Sequence, residues 1–103
     1  MKIIISKSKA PDAVRAIRRC GYGQVVDRRA GTVSYARRMS AVGLYPRFHV
    51  YIDNLSENWS FNLHLDQKAA IYEGVTAHSG EYDGEVVERE GERITQIING
   101  ATT

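Results

Sequence analysis

The sequence predicts a single α+β domain, residues 1–103, in which a four-strand antiparallel meander and an N-terminal strand form one sheet with two helices packed on one face. Two central segments alternate strictly between apolar and polar residues, which is typical of half-buried strands. A segment near the C-terminus repeats its apolar residues with helical period. The length of 103 residues, with 43% apolar and 25% charged residues, is typical of one globular domain.

The N-terminal third predicts a strand followed by a helix. Lys2–Ser6 is continuously apolar at its centre, which is typical of a strand buried on both faces. Pro11–Cys20 predicts a helix, because proline suits the first helical position and Gly21 suits the position after the last. Val14 and Ile17 give this helix its predicted apolar edge. Its opposite side carries three arginines, Arg15, Arg18 and Arg19.

Four further strands are predicted as two hairpins. Tyr22–Arg28 and Thr32–Met39 are rich in valine and tyrosine and predict a hairpin with Gly31 in its turn. Arg47–Asp53 and Trp59–Asp66 are the two alternating segments. Matching their apolar faces fixes the parity of their register, since side chains alternate along a strand. The shortest turn predicts three pairs: Ile52 with Trp59, Val50 with Phe61, and Phe48 with Leu63.

The remaining chain predicts a long connection and a helix. Residues 67–83 carry little secondary-structure signal, and a connection of that length is often functional. Glu85–Ile98 predicts an amphipathic helix with Asp83 as its N-terminal cap. Gly91 weakens it by up to ~1 kcal/mol relative to alanine. The predicted buried stripe is Val86, Val87, Ile94, Ile97 and Ile98.

The polar face of the second hairpin predicts a metal site. In the register above, His49 lies opposite Asn62 and His64 lies diagonally, with Cβ atoms roughly 7–8 Å apart. Two imidazoles at that separation can share one ion, and Asp66 follows on the same face. His78 in the long connection is the candidate further ligand. The set His49, His64, Asp66 and His78 indicates a divalent metal such as zinc, with an open position for hydrolytic chemistry.

The alternative is a solvated sheet face without metal, because polar residues are expected at solvent-facing strand positions and the histidine-aspartate spacing is not a specific motif. Other chemistry has weaker support. Cys20 is more typical of a small buried residue than of a nucleophile. Ser79 lacks the surrounding nucleophile-elbow motif of a catalytic serine. Either strand histidine could pair with Glu73 or Glu81 for acid–base chemistry. No catalytic residue is therefore assigned, and a non-enzymatic role is favoured.

Charge is divided unequally along the chain. Residues 1–50 hold eleven Lys and Arg against two Asp, whereas residues 51–103 hold three Lys and Arg against ten Asp and Glu. The basic half predicts nucleic-acid binding, RNA more than DNA, because arginine pairs with phosphate and interleaved tyrosines stack on unpaired bases. The predicted contacts are Arg15, Arg18, Arg19, Arg28, Arg29, Arg37 and Arg38. The main alternative is that the acidic C-terminal helix pairs with the basic half, either within one chain or across a homodimer.

The sequence argues against several classes of protein. The longest purely apolar run is three isoleucines, far below the ~20 residues of a membrane-spanning helix. No secretory signal pattern is present, and the lone Cys20 cannot form an internal disulfide or a cysteine-based zinc site. The sequence therefore predicts a cytoplasmic protein with no membrane partner.

Four segments in the C-terminal half carry a family resemblance: His64-Leu65-Asp66-Gln67-Lys68, Tyr72-Glu73-Gly74, Ala77-His78-Ser79-Gly80-Glu81-Tyr82-Asp83-Gly84 and Glu92-Arg93-Ile94. They resemble a group of short proteins of ultrasmall, uncultivated bacteria. The resemblance implies that His64, Asp66, His78 and Glu81 belong together, and it implies no activity. RNA binding is thus the leading hypothesis from the sequence, a metal site or metal-dependent hydrolase the second, and a homodimeric module the third.

Overall fold

A computed structural model describes residues 1–41, 43, 45–67 and 84–100 of the chain. In that part the chain forms a five-stranded antiparallel sheet and two helices, so the predicted α+β fold is confirmed. The sequence also predicted the element order. The elements are β1 (Lys2–Ser6), α1 (Ala13–Arg19), β2 (Gly23–Asp27), β3 (Thr32–Arg38), β4 (Arg47–Asn54), β5 (Asn58–Asp66) and α2 (Glu85–Ile98).

The strands lie in the order β1-β5-β4-β3-β2. Strands β2 to β5 form the predicted meander, and β1 pairs with β5, so both β1 and β2 are edge strands. The apolar residues of one sheet face join those of the helices in a single core, in which Ile17, Val50, Phe61, Val87 and Ile94 are fully buried. The opposite sheet face carries no helix among the described residues, and we call it the open face.

The β4–β5 register differs by two residues from the prediction. Ile52 lies opposite Phe61 rather than Trp59, and Val50 lies opposite Leu63. The turn is centred on Ser56 and Glu57, one residue later than the predicted pairing requires, and there the Leu55 N–H donates to the Asn58 carbonyl at 3.0 Å. A shift of one residue in the centre of the turn moves the partner of every strand residue by two positions. The parity was correct, so every side chain faces the predicted side.

Helix α1 begins later than predicted and buries a different face. Ala13 is its first residue, and the Asp12 carboxylate caps it by accepting the Arg15 N–H at 3.0 Å. A proline two positions earlier therefore lies outside the helix. Val14 is exposed, and Ala16 and Ile17 face the core instead. The predicted apolar edge was thus wrong at Val14 and correct at Ile17.

The β2–β3 hairpin forms as predicted, with shorter strands. Gly31 has a φ of +70°, a left-handed conformation that favours glycine. The Asp27 carboxylate accepts the backbone N–H groups of Arg29 and Ala30 at 3.0 and 3.1 Å. These bonds satisfy two backbone donors of the turn, which ends at Gly31.

Helix α2 has the predicted bounds, and its predicted buried stripe is correct except at Val86. Gly84 occupies the N-cap position, and the predicted cap, Asp83, lies outside the described residues. Val86 is exposed, because the core-facing line also runs through Glu90 and Gly91. A Cβ at Gly91 would lie 2.5 Å from the Met1 Cε, so glycine here permits the N-terminal side chain to pack on the helix.

No helix in the described ranges has both the length and the apolarity needed to cross a membrane.

Candidate metal centre

The open face places the two strand histidines side by side. His49 lies directly opposite His64 in the β4–β5 ladder, and Arg47 lies opposite Asp66. The prediction had placed Asn62 opposite His49 and His64 diagonally, which was wrong because of the two-residue shift. The ring centroids of the histidines are 5.3 Å apart. Directly opposed side chains approach more closely than diagonal ones, so the corrected register tightens the predicted site.

Asp66 joins the two imidazoles. Its Oδ2 lies 2.7 Å from His49 Nδ1, and its Oδ1 lies 3.4 Å from His64 Nε2. One nitrogen of each ring and one carboxylate oxygen all lie within 4.8 Å of one another. Three of the four predicted ligands therefore converge. The fourth, His78, lies outside the described residues, as do Glu73, Ser79 and Glu81.

Ser34 completes this group, which we call the histidine cluster (Ser34, His49, His64 and Asp66). The Ser34 Oγ lies 2.5 Å from His49 Nε2, so both nitrogens of that ring have a partner. Ser34 carries no signal in the sequence that could identify it, because only the β3–β4 register brings it next to His49. A serine-histidine-aspartate order resembles that of hydrolytic triads, but Ser34 is only 3% exposed. A substrate carbonyl cannot reach its hydroxyl, so Ser34 orients the ring.

Exposure increases across the cluster toward His64. The side chain of His49 is 9% exposed, that of Asp66 is 27% exposed and that of His64 is 45% exposed. Burial lowers the pKa of His64, and the charge of His49 lowers it further, against the opposing effect of Asp66. Tyr51 stacks on the His64 ring at 5.5 Å between centroids. The solvent-exposed side of the site is therefore at His64, whose lowered pKa keeps its imidazole neutral to a lower pH than usual.

Arg47 lies beside the cluster with an unsatisfied donor. Its Nε is buried and has no hydrogen-bond partner among the described residues, and it lies 3.7 Å from Asp66 Oδ2. The guanidinium rests over the Tyr45 ring at 4.8 Å. Unpaired buried donors are uncommon in folded proteins and often mark a functional site.

The predicted RNA-contacting arginines are distributed over several surfaces. Arg37 and Arg38 are adjacent in β3, so their side chains leave opposite faces of the sheet. Arg37 pairs with Glu90 at 3.4 Å, and Arg38 donates to the Gly43 carbonyl at 3.4 Å. The other five arginines are all exposed, on α1 or at the β2–β3 turn: Arg15, Arg18, Arg19, Arg28 and Arg29.

A second polar cluster lies on the helix-covered face, and we call it the Glu90 cluster (Tyr22, Arg37, Glu90 and Arg93). The carboxylate of Glu90 accepts from Tyr22 Oη at 2.6 Å and from Arg93 at 2.9 and 2.8 Å. Arg93 also donates to the Cys20 carbonyl at 2.6 Å. Burial raises the pKa of Glu90, but the bonds from Arg93 and Tyr22 outweigh burial, and the net shift is downward. The sequence predicted pairing between the acidic helix and the basic half only in general terms, and it did not predict this cluster.

Cys20 is a packed residue rather than a nucleophile. It is 1% exposed, and its Sγ lies 3.5 Å from the Ala16 carbonyl. Burial raises the pKa of its thiol, which disfavours the reactive thiolate. The structure therefore supports the structural interpretation of this residue.

Comparison of the chain with protein-family models, with curated proteins and with solved structures found no match.

Proposed function

We propose that the protein binds one divalent transition-metal ion, with zinc as the expected occupant, through His49 Nδ1, His64 Nε2 and an Asp66 carboxylate oxygen. The observation that carries this proposal is the convergence of the three ligand atoms within 4.8 Å on two paired strands. Paired strands hold their side chains at fixed spacing, so the ligands are arranged before any ion binds. Imidazole and carboxylate ligands suit zinc and its first-row neighbours.

The ligand atoms lie near the spacing of a coordination shell but must move to reach it. Ligand atoms about 2.0–2.1 Å from a tetrahedral ion lie roughly 3.3 Å from one another. Here the three ligand atoms lie within 4.8 Å of one another, with His49 Nδ1 2.7 Å from Asp66 Oδ2 and His64 Nε2 3.4 Å from Asp66 Oδ1. In the metal-free protein a proton lies between His49 Nδ1 and Asp66, and an ion would take its place after a small outward shift. Metal binding therefore releases that proton, as it does wherever ligands must be deprotonated.

Ser34 supports the same assignment. A ligating histidine usually donates its second N–H to an oxygen, which fixes the ring and its tautomer. Once Nδ1 of His49 binds an ion, its Nε2 carries the proton and donates to Ser34 Oγ at the observed 2.5 Å separation. A serine hydroxyl accepts as readily as it donates, so it serves His49 in both states.

Hydrolysis is the second candidate, and the exposure gradient favours it. Three protein ligands leave a fourth position, which in catalytic zinc sites holds a water molecule with a pKa of about 7. The exposed side of the cluster, at His64, is where that position would lie. Arg47, beside Asp66, supplies a cation for an anionic substrate.

Zinc titration of chelator-treated protein tests the proposal. We expect one equivalent to bind, followed by calorimetry, and we expect cobalt to give the visible absorption of a tetrahedral site. Asp66→Asn removes a charged ligand and should weaken binding at least about tenfold, the lower limit for metal-site mutations near the ion. Asp53→Asn is the matched control, because Asp53 lies on the same face of the sheet and accepts a hydrogen bond from Asn62 rather than from a histidine.

Each outcome has a clear meaning. Stoichiometric binding by the wild type and by Asp53→Asn, together with weak binding by Asp66→Asn, supports the site. Equal affinities in the two variants, or no saturable binding by the wild type, would overturn it and leave the histidine cluster as a solvated sheet face. His78→Ala, measured in the same way, decides whether that residue is a ligand.

A further inference from the structure

A cationic cleft lies far from the histidine cluster in the chain, between the start of α1 and the end of α2. It encloses about 230 Å³. This volume is below the ~300–1,000 Å³ of sites for drug-sized ligands, so it suits a small group. Its lining combines three basic residues with apolar residues: Lys9, Arg15 and Arg19, with Ala10, Ala16 and Ile98.

The three cations have no ionic partner in the described part of the chain. The arginine ion pairs formed there involve Arg37, Arg47, Arg89 and Arg93 instead. Arg15 and Arg19 are four residues apart on one helical face, an arrangement in which like charges repel. An anion between them would convert that repulsion into attraction, which makes the cleft chemically incomplete without a ligand.

Asp12 also lines the cleft, and its role limits its effect on an anion. Its carboxylate caps α1 by accepting the Arg15 N–H at 3.0 Å. One carboxylate against three cations leaves a net charge that a phosphate dianion balances. The charge around the cleft therefore favours a phosphate dianion over a carboxylate, which carries one negative charge, and guanidinium groups bind phosphate oxygens in pairs.

We propose that this cleft binds the phosphate group of a nucleotide, either free or within an RNA strand, through Lys9, Arg15 and Arg19. The apolar lining residues Ala16 and Ile98 are available to contact the sugar. The site gives the RNA-binding prediction a defined position on α1, where Arg18 is exposed on the same helix. It does not depend on the metal centre, which lies on the opposite face of the sheet.

Binding measurements with three probes test the cleft: inorganic phosphate, AMP and a short 5′-phosphorylated oligouridylate. At about 50 mM salt, phosphate contacts are strong enough to measure. The variant Arg15→Gln/Arg19→Gln should weaken binding about tenfold or more, since it removes both guanidinium groups. Arg28→Gln/Arg29→Gln removes the same charge from the β2–β3 turn, where the sequence also predicted RNA contacts. If the cleft rather than that turn holds the phosphate, this variant should weaken binding less than about twofold.

Amide shifts in NMR spectra locate the ligand and separate its sources. Binding of AMP with shifts at Ala10, Ala16 and Ile98 supports the cleft and identifies a free nucleotide as ligand. Binding of the oligouridylate alone, with the same shifts and the same loss in Arg15→Gln/Arg19→Gln, supports the cleft with RNA as the source.

Equal weakening in the two double variants would indicate diffuse attraction and overturn the proposal, as would the absence of binding by every probe. Circular dichroism of both variants verifies that they fold. Addition of a chelator should leave the affinities unchanged, which separates this result from that of the metal centre.

Discussion

The sheet carries a polar cluster on each face, and the two clusters differ in how fully their hydrogen-bonding groups are satisfied. In the Glu90 cluster, both carboxylate oxygens accept from Tyr22 or Arg93, and Arg37 adds a second cation and a third donor residue. Beside the histidine cluster, the Arg47 Nε has no partner among the described residues, and the polar contact of His64 given by those residues is the 3.4 Å approach to Asp66. Within the described part of the chain, one cluster is therefore saturated, and the other keeps donors and acceptors for a ligand.

This difference indicates that the two clusters have different roles, one in stability and the other in ligand binding. A saturated network ties distant parts of the chain together, since Glu90 joins α2 to Tyr22 across 68 residues. Its removal should affect stability. A network that keeps unpaired donors and acceptors can bind a ligand, so substitutions in it should weaken binding. Substitutions that change stability but not metal binding, or metal binding but not stability, test this distinction.

The largest effect is expected at Glu90. Replacement by alanine leaves the Tyr22 hydroxyl and two guanidinium groups without their acceptor, and Glu90 is only 5% exposed. We expect a loss of about 2–4 kcal/mol in unfolding free energy, below the full cost of a broken buried pair because both arginines are about one-third exposed. Urea denaturation measures it.

The control for that variant is Glu92→Ala, an exposed position on the same helix. It should change the unfolding free energy by less than about 0.5 kcal/mol. Similar losses at positions 90 and 92 would show that the Glu90 cluster contributes no specific stability.

The second effect concerns zinc as a stabilising ligand. At a free concentration about 100 times the dissociation constant, an ion that binds only the folded state stabilises it by about 2.7 kcal/mol. We expect that gain in the wild type, read from urea midpoints with and without zinc, and we expect Asp66→Asn to lose it. Glu90→Ala should keep the gain although it is less stable. A gain lost in both variants would mean that the two clusters are not separate.

The sequence predicted the faces of this sheet better than the contacts between strands. Alternation in Arg47–Asp53 fixed which side chains leave the core, but the polar residues 54–58 do not mark where the turn closes. The two-residue register error followed from that, and it displaced His64 from its position opposite His49. Parity depends on a local pattern, whereas register depends on the turn geometry.

Local sequence patterns could not predict which residues contact one another in the two clusters. Glu90 lies on the core-facing line of α2, but a glutamate on that line gives no sign of whether Tyr22 and Arg37 will meet it. Ser34 reaches His49 only through the β3–β4 pairing, 15 residues away. Helix α2, by contrast, was predicted with correct bounds, because its apolar period and its terminal Asn99-Gly100 are local signals.

The third effect is expected at Ser34, a positioning residue. Ser34→Ala removes the oxygen that holds His49 Nε2, and loss of such an outer partner typically weakens metal affinity about 10–100-fold. Ser60→Ala is the control, because Ser60 is equally buried on the open face and bonds to Asn62. Calorimetry gives the affinities, and the cobalt absorption band should shift only in Ser34→Ala. Equal affinities in both variants would remove Ser34 from the metal centre.

The smallest effect is a difference in acid sensitivity between the clusters. The pKa of His64 is held below its ordinary value of 6.5, first by burial, so the unfolded chain binds this proton more tightly than the folded one. Stability is then complete above pH 6.5 and falls as the pH drops below it.

The pKa of Glu90 is held below its ordinary value of 4.5, so its contribution to stability is complete above pH 4.5 and is lost as the pH drops through the folded-state pKa. Urea midpoints at closely spaced pH values should therefore fall in two steps. His64→Gln should remove the step that begins near pH 6.5, and Glu90→Gln should remove the one that begins near pH 4.5. Loss of both steps in either variant would show that the two faces of the sheet titrate as one unit, and the separation between a structural and a binding cluster would fail.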